Sequence, residues 1–270
     1  MPIITISRGT YSGGMQLAEC VAGRLDIPCV SREILVEAAE QFGVSEQALA
    51  EAMGRPPSFF ERFSHQREIY LALVRTALLQ HAAHGSFVYH GHAGHLLLSE
   101  IPNVIRVRVV APMQFRVTAA MERLGVDQRA AVQHIEQVDR QREKWTRFLY
   151  GVEWEETSLY DMIVSLEHLD IDEVCEMLCG VARLKRFEWT EESRGAVADE
   201  ALAALLTAEL TRDPSTRGAE LTVTARRGAV TIRGKAPGLS ASAAIERIAR
   251  GVPDVKEVTV EVAGASDVPG

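Results

Sequence analysis

The chain has 270 residues, 47% hydrophobic and 24% charged, enough apolar material for one large domain or for a medium and a small one. A formal net charge of −8 speaks against a general nucleic-acid binder, which is normally basic, and no apolar run approaches the length of a membrane-spanning helix. A soluble, cytoplasmic protein that works without nucleic acid is expected.

An apolar, β-branched run (Ile3, Ile4, Ile6) leads into a loop rich in Ser, Thr and Gly, and then into an amphipathic helix from about Gly14 to Leu25. In this layout backbone N–H groups and the positive end of a helix face a phosphate. The spacing from Gly9 to Gly14 fits G-x-x-x-x-G-K-[ST], yet Met15 and Gln16 stand where Lys and Ser/Thr belong. Gly9, Ser12, Gly13, Gly14, Met15 and Gln16 are therefore the candidate phosphate loop, with its cation missing. Arg8 is the expected substitute; pairing with a carboxylate is its plainer alternative.

Asp26 to Val30 reads as a short second strand, and Ser31 opens a helix with Ile34, Leu35, Ala38 and Ala39 at helical spacing. Ser45 starts a short helix that ends before Gly54-Arg55-Pro56-Pro57, and a long helix is expected from Ser58 to about His84. Phe87 to Tyr89 is a buried strand followed by the loop His90-Gly91-His92-Ala93-Gly94. Val104 to Val110 is the next strand, and Pro112 suits the first turn of the helix after it. Asp127 caps a helix reaching about Phe148, Tyr160 to Leu166 is a last strand, and Asp170 with Glu173 caps a closing helix. Strands alternating with helices predict a parallel sheet covered on both faces, with ligands beyond the carboxyl ends of the strands. The loops after Ile6, Val30, Tyr89 and Val110 are the ones to examine.

Past Arg183 the pattern dissolves into charged and small residues. Residues 185–196 are expected to link a first domain, 1–184, to a second, 197–263, with 264–270 as a tail. The second domain reads αββαβ: helix Ala198 to Leu210, strands Ala219 to Ala225 and Ala229 to Arg233, helix Ser240 to Arg250, strand Val255 to Val262. The cysteines, Cys20, Cys29, Cys175 and Cys179, form no paired C-x-x-C cluster and are expected to be reduced core residues.

With these pieces placed, the first domain resembles the cytidylate kinase-like family. The matches are ISR…SGG…LA in the loop, Ile27-Pro28 followed by Ser31-Arg32-Glu33-Ile34-Leu35, and Val104 to Pro112 followed by Arg116 and Arg123. Asp139-Arg140-x-Arg142, Tyr150-Gly151-Val152-x-Trp154 and Tyr160-Asp161-Met162-Ile163 complete them. The second domain resembles the BON domain through Val223, Gly228, Val230, Ile232, Gly234, Gly251, Val252, Val255 and Val258. The resemblance implies an α/β, P-loop nucleoside-monophosphate-kinase-like parallel sheet with helices on both faces, then a small α+β domain. It further implies ATP and Mg2+, and phosphoryl transfer to a nucleoside monophosphate, CMP by analogy. For the BON-like module it implies a lipid, small ligand or protein partner. Three departures stand out against the family. The Arg usual at Met15 is gone, His92 replaces a substrate-facing Arg, and Tyr11 replaces a loop glycine and is expected to narrow the cradle.

Phosphoryl transfer depends on cations placed around the phosphates. Arg140 and Arg142 are the candidates to act with Arg8, while Arg116, Arg123, Lys144, Arg147 and His92 are candidate lid or substrate contacts. The competing reading is a solvated helix face, since Glu136, Asp139 and Glu143 interleave with these cations. Asp139 and Asp161 suit orienting an arginine or holding magnesium through water, and equally a cap or salt bridge. His90, His92 and His95 alternate sides along an extended strand, which is poor for chelation, so no metal site is expected there. Trp145, Tyr150 and Trp154 are expected to pack the lid. Two functions stay open: a slow kinase, and a nucleotide sensor or scaffold coupled to the second module.

Overall fold

Ile3, Ile4 and Ile6 have side chains that favour extended backbone and almost no exposed surface, so β1 (Ile3–Arg8) is the strand buried on both faces. The computed structural model describes residues 1–31, 33–49, 64–91, 93–236 and 239–264. Within them the chain forms two compact units: residues 1–34 with 85–189, and residues 35–49 and 64–84 with 190–264.

In the first unit five parallel strands take the order β2-β3-β1-β4-β5, where β2 is Cys29–Val30, β3 Val88–Tyr89, β4 Val104–Val110 and β5 Met162–Ser165. Helix α1 (Gly14–Leu25) buries Leu17, Ala18, Val21 and Leu25 in one core with β1, β4 and the closing helix (Ile171–Ala182). All strands run in one direction, so the loops after β1, β2, β3 and β4 gather at one edge of the sheet, as the alternating pattern predicts.

Helix α2 is Glu33–Phe42, and α3 (Ser64–Ala83) packs along a long helix, Glu191–Arg212, within the second unit. Arg75 and Glu200 join these two helices at 2.9 Å. The compact units thus do not follow two contiguous blocks of sequence, because α3 adds its side to the C-terminal unit. The stretch 185–196 is ordered: Phe187 is buried in the first core, and Thr190 with Ser193 forms a capping box that starts the long helix. The three-stranded sheet of this unit pairs β6 (Glu220–Arg226) antiparallel to β7 (Ala229–Ala236), and β7 parallel to β8 (Glu257–Gly264). Leu202, Leu206, Leu210, Val230, Ile232 and Ile245 fill its core. Residues 46–49 are helical, after Ser45 as expected, and later in the chain come α4 (Gly94–Leu97), α5 (Met113–Leu124), α6 (Gln128–Tyr150), α7 (the closing helix), α8 (the long helix) and α9 (Leu239–Gly251). The expected helix start at Ser58, the Gly54-to-Pro57 break and residues 265–270 of the tail lie outside the described residues. Among the described residues no helix is long and apolar enough to cross a membrane.

The cysteine expectation is corrected. Cys20 on α1 and Cys175 on α7 are joined by a disulfide across 155 residues, with Cα atoms 6.2 Å apart, while Cys29 and Cys179 are free. Local spacing carries no sign of this bond, because only the packing of α1 against α7 brings the two positions together. Replacing both by serine is expected to lower stability by about 2–4 kcal/mol, a loss that thermal unfolding of the wild type under reductant reproduces. Equal melting of the oxidised wild type and the double variant refutes it.

Candidate active site

The chain leaves β1 at Arg8 and turns back at once. Ser12 closes the turn: its amide and its hydroxyl both donate to the Gly9 carbonyl, at 3.2 and 3.0 Å. Gly13 takes a left-handed φ of 84° before α1 begins. A Cβ added at Gly14 would lie 2.6 Å from Arg8 Cδ, so Arg8 crosses directly over the start of the helix. The first-turn amides of Gly14, Met15 and Gln16 have no acceptor inside α1 and sit at its positive end.

Tyr11 has a φ of 60°, a conformation that glycine adopts at no steric cost. Its ring turns toward His134, with centroids 6.0 Å apart, and packs on the small core of Val117, Ala120, Ala131 and Ile135 between α5 and α6. Tyr11, expected to narrow the cradle, lines the larger pocket at the loop and also fastens the loop to this helix pair.

Two pockets adjoin. The larger, about 610 Å³, lies between the loop (Thr10, Tyr11, Gly13, Gly14, Met15, Gln16) and a helical wall of Phe115, Ala119, Glu122, Arg123, His134 and Val138. The smaller, about 190 Å³, is walled by Ser7, Ser31, His90, Gly91, His95, Thr146 and Trp154. Arg8 and Arg142 line both. Arg142 is positioned by bonds from its Nη1 to the Arg8 carbonyl at 3.2 Å and the Thr10 hydroxyl at 3.1 Å. Arg116 donates through Nε to the Thr10 carbonyl at 2.8 Å and through Nη2 to Asp139. Asp139 also accepts from the amide and hydroxyl of Thr10, at 3.0 and 2.7 Å.

The electrostatics favour an anion. Burial and the positive neighbours Arg142 and Arg123 pull the Arg8 guanidinium down to about 10, still charged at neutral pH. Burial lowers Arg142 as well, against the pull of Asp139. His90 lies 3.4 Å from Arg8 through Nδ1, and burial together with that charge lowers its pKa.

Of the cations expected from sequence, the structure brings together Arg8, Arg116, Arg123 and Arg142. Three others it does not bring in. Arg140 pairs with Glu136 at 3.2 Å, Arg147 with Glu153 at 2.6 Å and Glu143 at 3.1 Å, and Lys144 is exposed. His92 lies outside the described residues, as does the side chain of Trp145. Asp161 forms a two-point pair with Arg106 at 3.0 and 3.2 Å beside β4, away from both pockets.

Sequence reading missed Thr10, Thr146 and the pocket side of α6. His134, Val138, Arg142 and Thr146 recur every four residues, so one helix face runs along both pockets. The four-residue period is present in the sequence, but only the bonds of Arg142 to Arg8 and Thr10 fix which face of the helix it marks. Trp154, expected to pack the lid, lines the smaller pocket, and its carbonyl accepts from Tyr160 Oη at 2.7 Å and Arg108 at 3.0 Å.

His95 lies against Tyr160, with Nε2 and Oη 3.4 Å apart. Burial and the charges of Arg106 and Arg108 lower its pKa from an ordinary 6.5 to about 4. The folded ring is therefore neutral, its contribution is full above the unfolded value, and it is lost as pH falls from 6.5 toward 4. The loss reaches about 3 kcal/mol, and His95→Gln is expected to flatten it in denaturant titrations at pH 5 and 7.5. The same pH slope in both proteins counts against this account.

Residues 3–168 match the cytidylate kinase-like family, and residues 198–264 match the BON domain. A protein named cytidylate kinase from Ignicoccus hospitalis is 26% identical over 181 residues, covering 66% of this chain and 97% of its own length. One of the same name from Pyrobaculum calidifontis is 25% identical over 174 residues, covering 64% and 88%. The crystal structure of an uncharacterized protein from Eubacterium ventriosum covers 67% of this chain and 98% of its own, with 22% identity and a TM-score of 0.52, a likeness of fold.

Proposed function

Because the chain belongs to the cytidylate kinase-like family over residues 3–168, we propose that it binds a nucleoside triphosphate in the larger pocket and passes the terminal phosphoryl group to a nucleoside monophosphate in the smaller one. CMP is the acceptor suggested by the relatives named cytidylate kinase. The observation that carries the reading is the shared wall of Arg8 and Arg142. A phosphoryl group moving from one pocket to the other would lie against both guanidinium groups, and charge placement there is most of the catalysis such a transfer needs.

The chain's own residues fit a polyphosphate: loop amides, a helix start, and Arg8, Arg123 and Arg142 around them, with Arg116 behind Thr10. They do not fit a metal ion held by the protein itself. The Ser12 hydroxyl is committed to the Gly9 carbonyl, Asp139 to Thr10 and Arg116, and among the described residues no three His, Cys, Asp or Glu side chains gather. Magnesium in such enzymes is held largely by substrate phosphates and water, and would serve here to neutralise phosphate charge. With Met15 where a loop lysine reaches the outer phosphates, slow turnover is expected.

Met15 and Gln16 also favour a second reading, in which the same pockets sense a nucleotide without turning it over and the BON domain engages a lipid, small ligand or protein. One experiment separates the two: full-length protein with ATP and magnesium against CMP, dCMP, UMP and AMP, with calorimetry on each nucleotide. Turnover of one monophosphate supports the kinase. Tight binding without turnover supports the sensor, and absence of binding refutes both.

A further inference from the structure

Asp139 is surrounded by donors that a phosphate would use. Its carboxylate accepts from the Thr10 amide at 3.0 Å, the Thr10 hydroxyl at 2.7 Å and the Arg116 guanidinium, with Arg142 at 3.9 Å. Arg116 holds the Thr10 carbonyl as well, so the backbone of this one loop residue is tied to both α5 and α6. A main-chain N–H, a hydroxyl and guanidinium groups converging on one oxyanion form a strong anion-binding set. We infer that Asp139 is an internal anion of the phosphate loop, which docks the helix pair on Thr10 and which an incoming polyphosphate must displace.

Charge is the reason for it. Arg8, Arg116 and Arg142 crowd one partly buried region with exposed Arg123 at its edge, and guanidinium groups brought together without a counter-ion would repel one another and oppose docking of α5 and α6. Asp139 offsets that repulsion from within the chain. The same carboxylate then competes with phosphate for the Thr10 amide and for Arg116. Removing its charge is therefore expected to act in two directions. The loop gains affinity for anions, because a like charge is gone. Transfer slows, because without the carboxylate α6, which carries Arg142, docks less firmly on Thr10 before substrate arrives. A residue with a merely structural role would weaken both together.

The inference rests on the larger pocket's being a polyphosphate site, and its test separates that premise from its own content. Full-length wild type, Asp139→Asn and Asp139→Ala are compared, with Glu136→Gln on the solvent side of the same helix as control. The readouts are amide hydrogen exchange at Thr10 without added nucleotide, calorimetric affinity for inorganic triphosphate, and turnover with ATP and CMP. The Thr10 amide is expected to be protected in the wild type and the control and to exchange faster in Asp139→Ala. Triphosphate affinity is expected to rise about threefold to tenfold in both Asp139 variants, the size of a partly screened charge effect. Turnover, where the wild type has it, is expected to fall. Gain of triphosphate affinity with no turnover in any form supports the inference and counts against the kinase reading. Unchanged Thr10 exchange with equal or weaker triphosphate binding overturns the inference and leaves the kinase reading to its own assay. Absence of triphosphate binding in every form overturns it too. Asp139→Asn keeps the side-chain shape, so the comparison survives a poorly folding alanine variant.

Discussion

Replacing Arg142 by alanine is expected to cut phosphoryl transfer about a thousandfold, equivalent to roughly 4 kcal/mol of transition-state stabilisation. Arg142 lines both pockets and is held there by the Arg8 carbonyl and the Thr10 hydroxyl, so its charge is fixed where a transferring group would pass. Stabilisation from a group already in place costs no reorganisation during reaction. Arg142→Lys keeps the charge but loses the planar fork that makes two bonds at once, so partial recovery is expected. Arg140→Ala is the contrast. Its side chain pairs with Glu136 on the solvent side of the same helix, so a change of less than about twofold is expected. Turnover rates of the three variants, with nucleotide affinity measured beside them, decide the matter. Equal losses at 140 and 142 would mean that the helix face has been assigned wrongly.

The second large effect is expected at the loop after β3. A Cβ added to Gly94 would overlap Tyr89 Cδ1 and lie 2.7 Å from Cε1, and one added to Gly91 would overlap the hydroxyl end of the same ring. Tyr89 is 3% exposed and sits on a strand paired on both sides, so the ring has nowhere to swing. Gly94→Ala is therefore expected to cost about 3 kcal/mol through overpacking, lowering the melting temperature by roughly 6–12 °C. The small pocket suffers with it, since His90, Gly91 and His95 belong to the displaced segment. Gly180→Ala gives the opposite sign. That glycine lies inside α7 with open space where a Cβ would go, and a gain of about 0.5–1 kcal/mol is expected from helix propensity. Melting curves of the two alanine variants that coincide would show that steric room at these glycines is not what matters.

Much of the fold is legible in the order of residues because its causes are local. Ile3, Ile4 and Ile6 followed by the glycine loop announce a buried strand that turns into a helix. Asp127 and Asp170 cap helices where their spacing says they should, and the αββαβ run near the C-terminus folds with that element order. The long helix α8 was harder to read. Charged and small residues between 185 and 196 look like a linker, yet Thr190 and Ser193 satisfy each other's backbone and the helix starts there, because its buried partners lie further along at Val197, Leu202 and Leu206.

The sequence by itself determined that this chain has a phosphate-type loop without its lysine, a parallel sheet to carry it, and several arginines as candidates for the missing charge. Tertiary structure alone decided which of those arginines stand beside the loop. Along α6 a step of one residue turns the side chain by about 100°, so Arg142 faces the pockets while Arg140, two positions earlier, faces solvent. Which phase points inward depends on how α5 and α6 sit on Tyr11 and Thr10, contacts spanning more than 100 residues. The same holds for Cys20 and Cys175, which meet only because two helices pack side by side. Periodicity sets what each segment becomes, and long-range packing sets which of its faces lines the pockets.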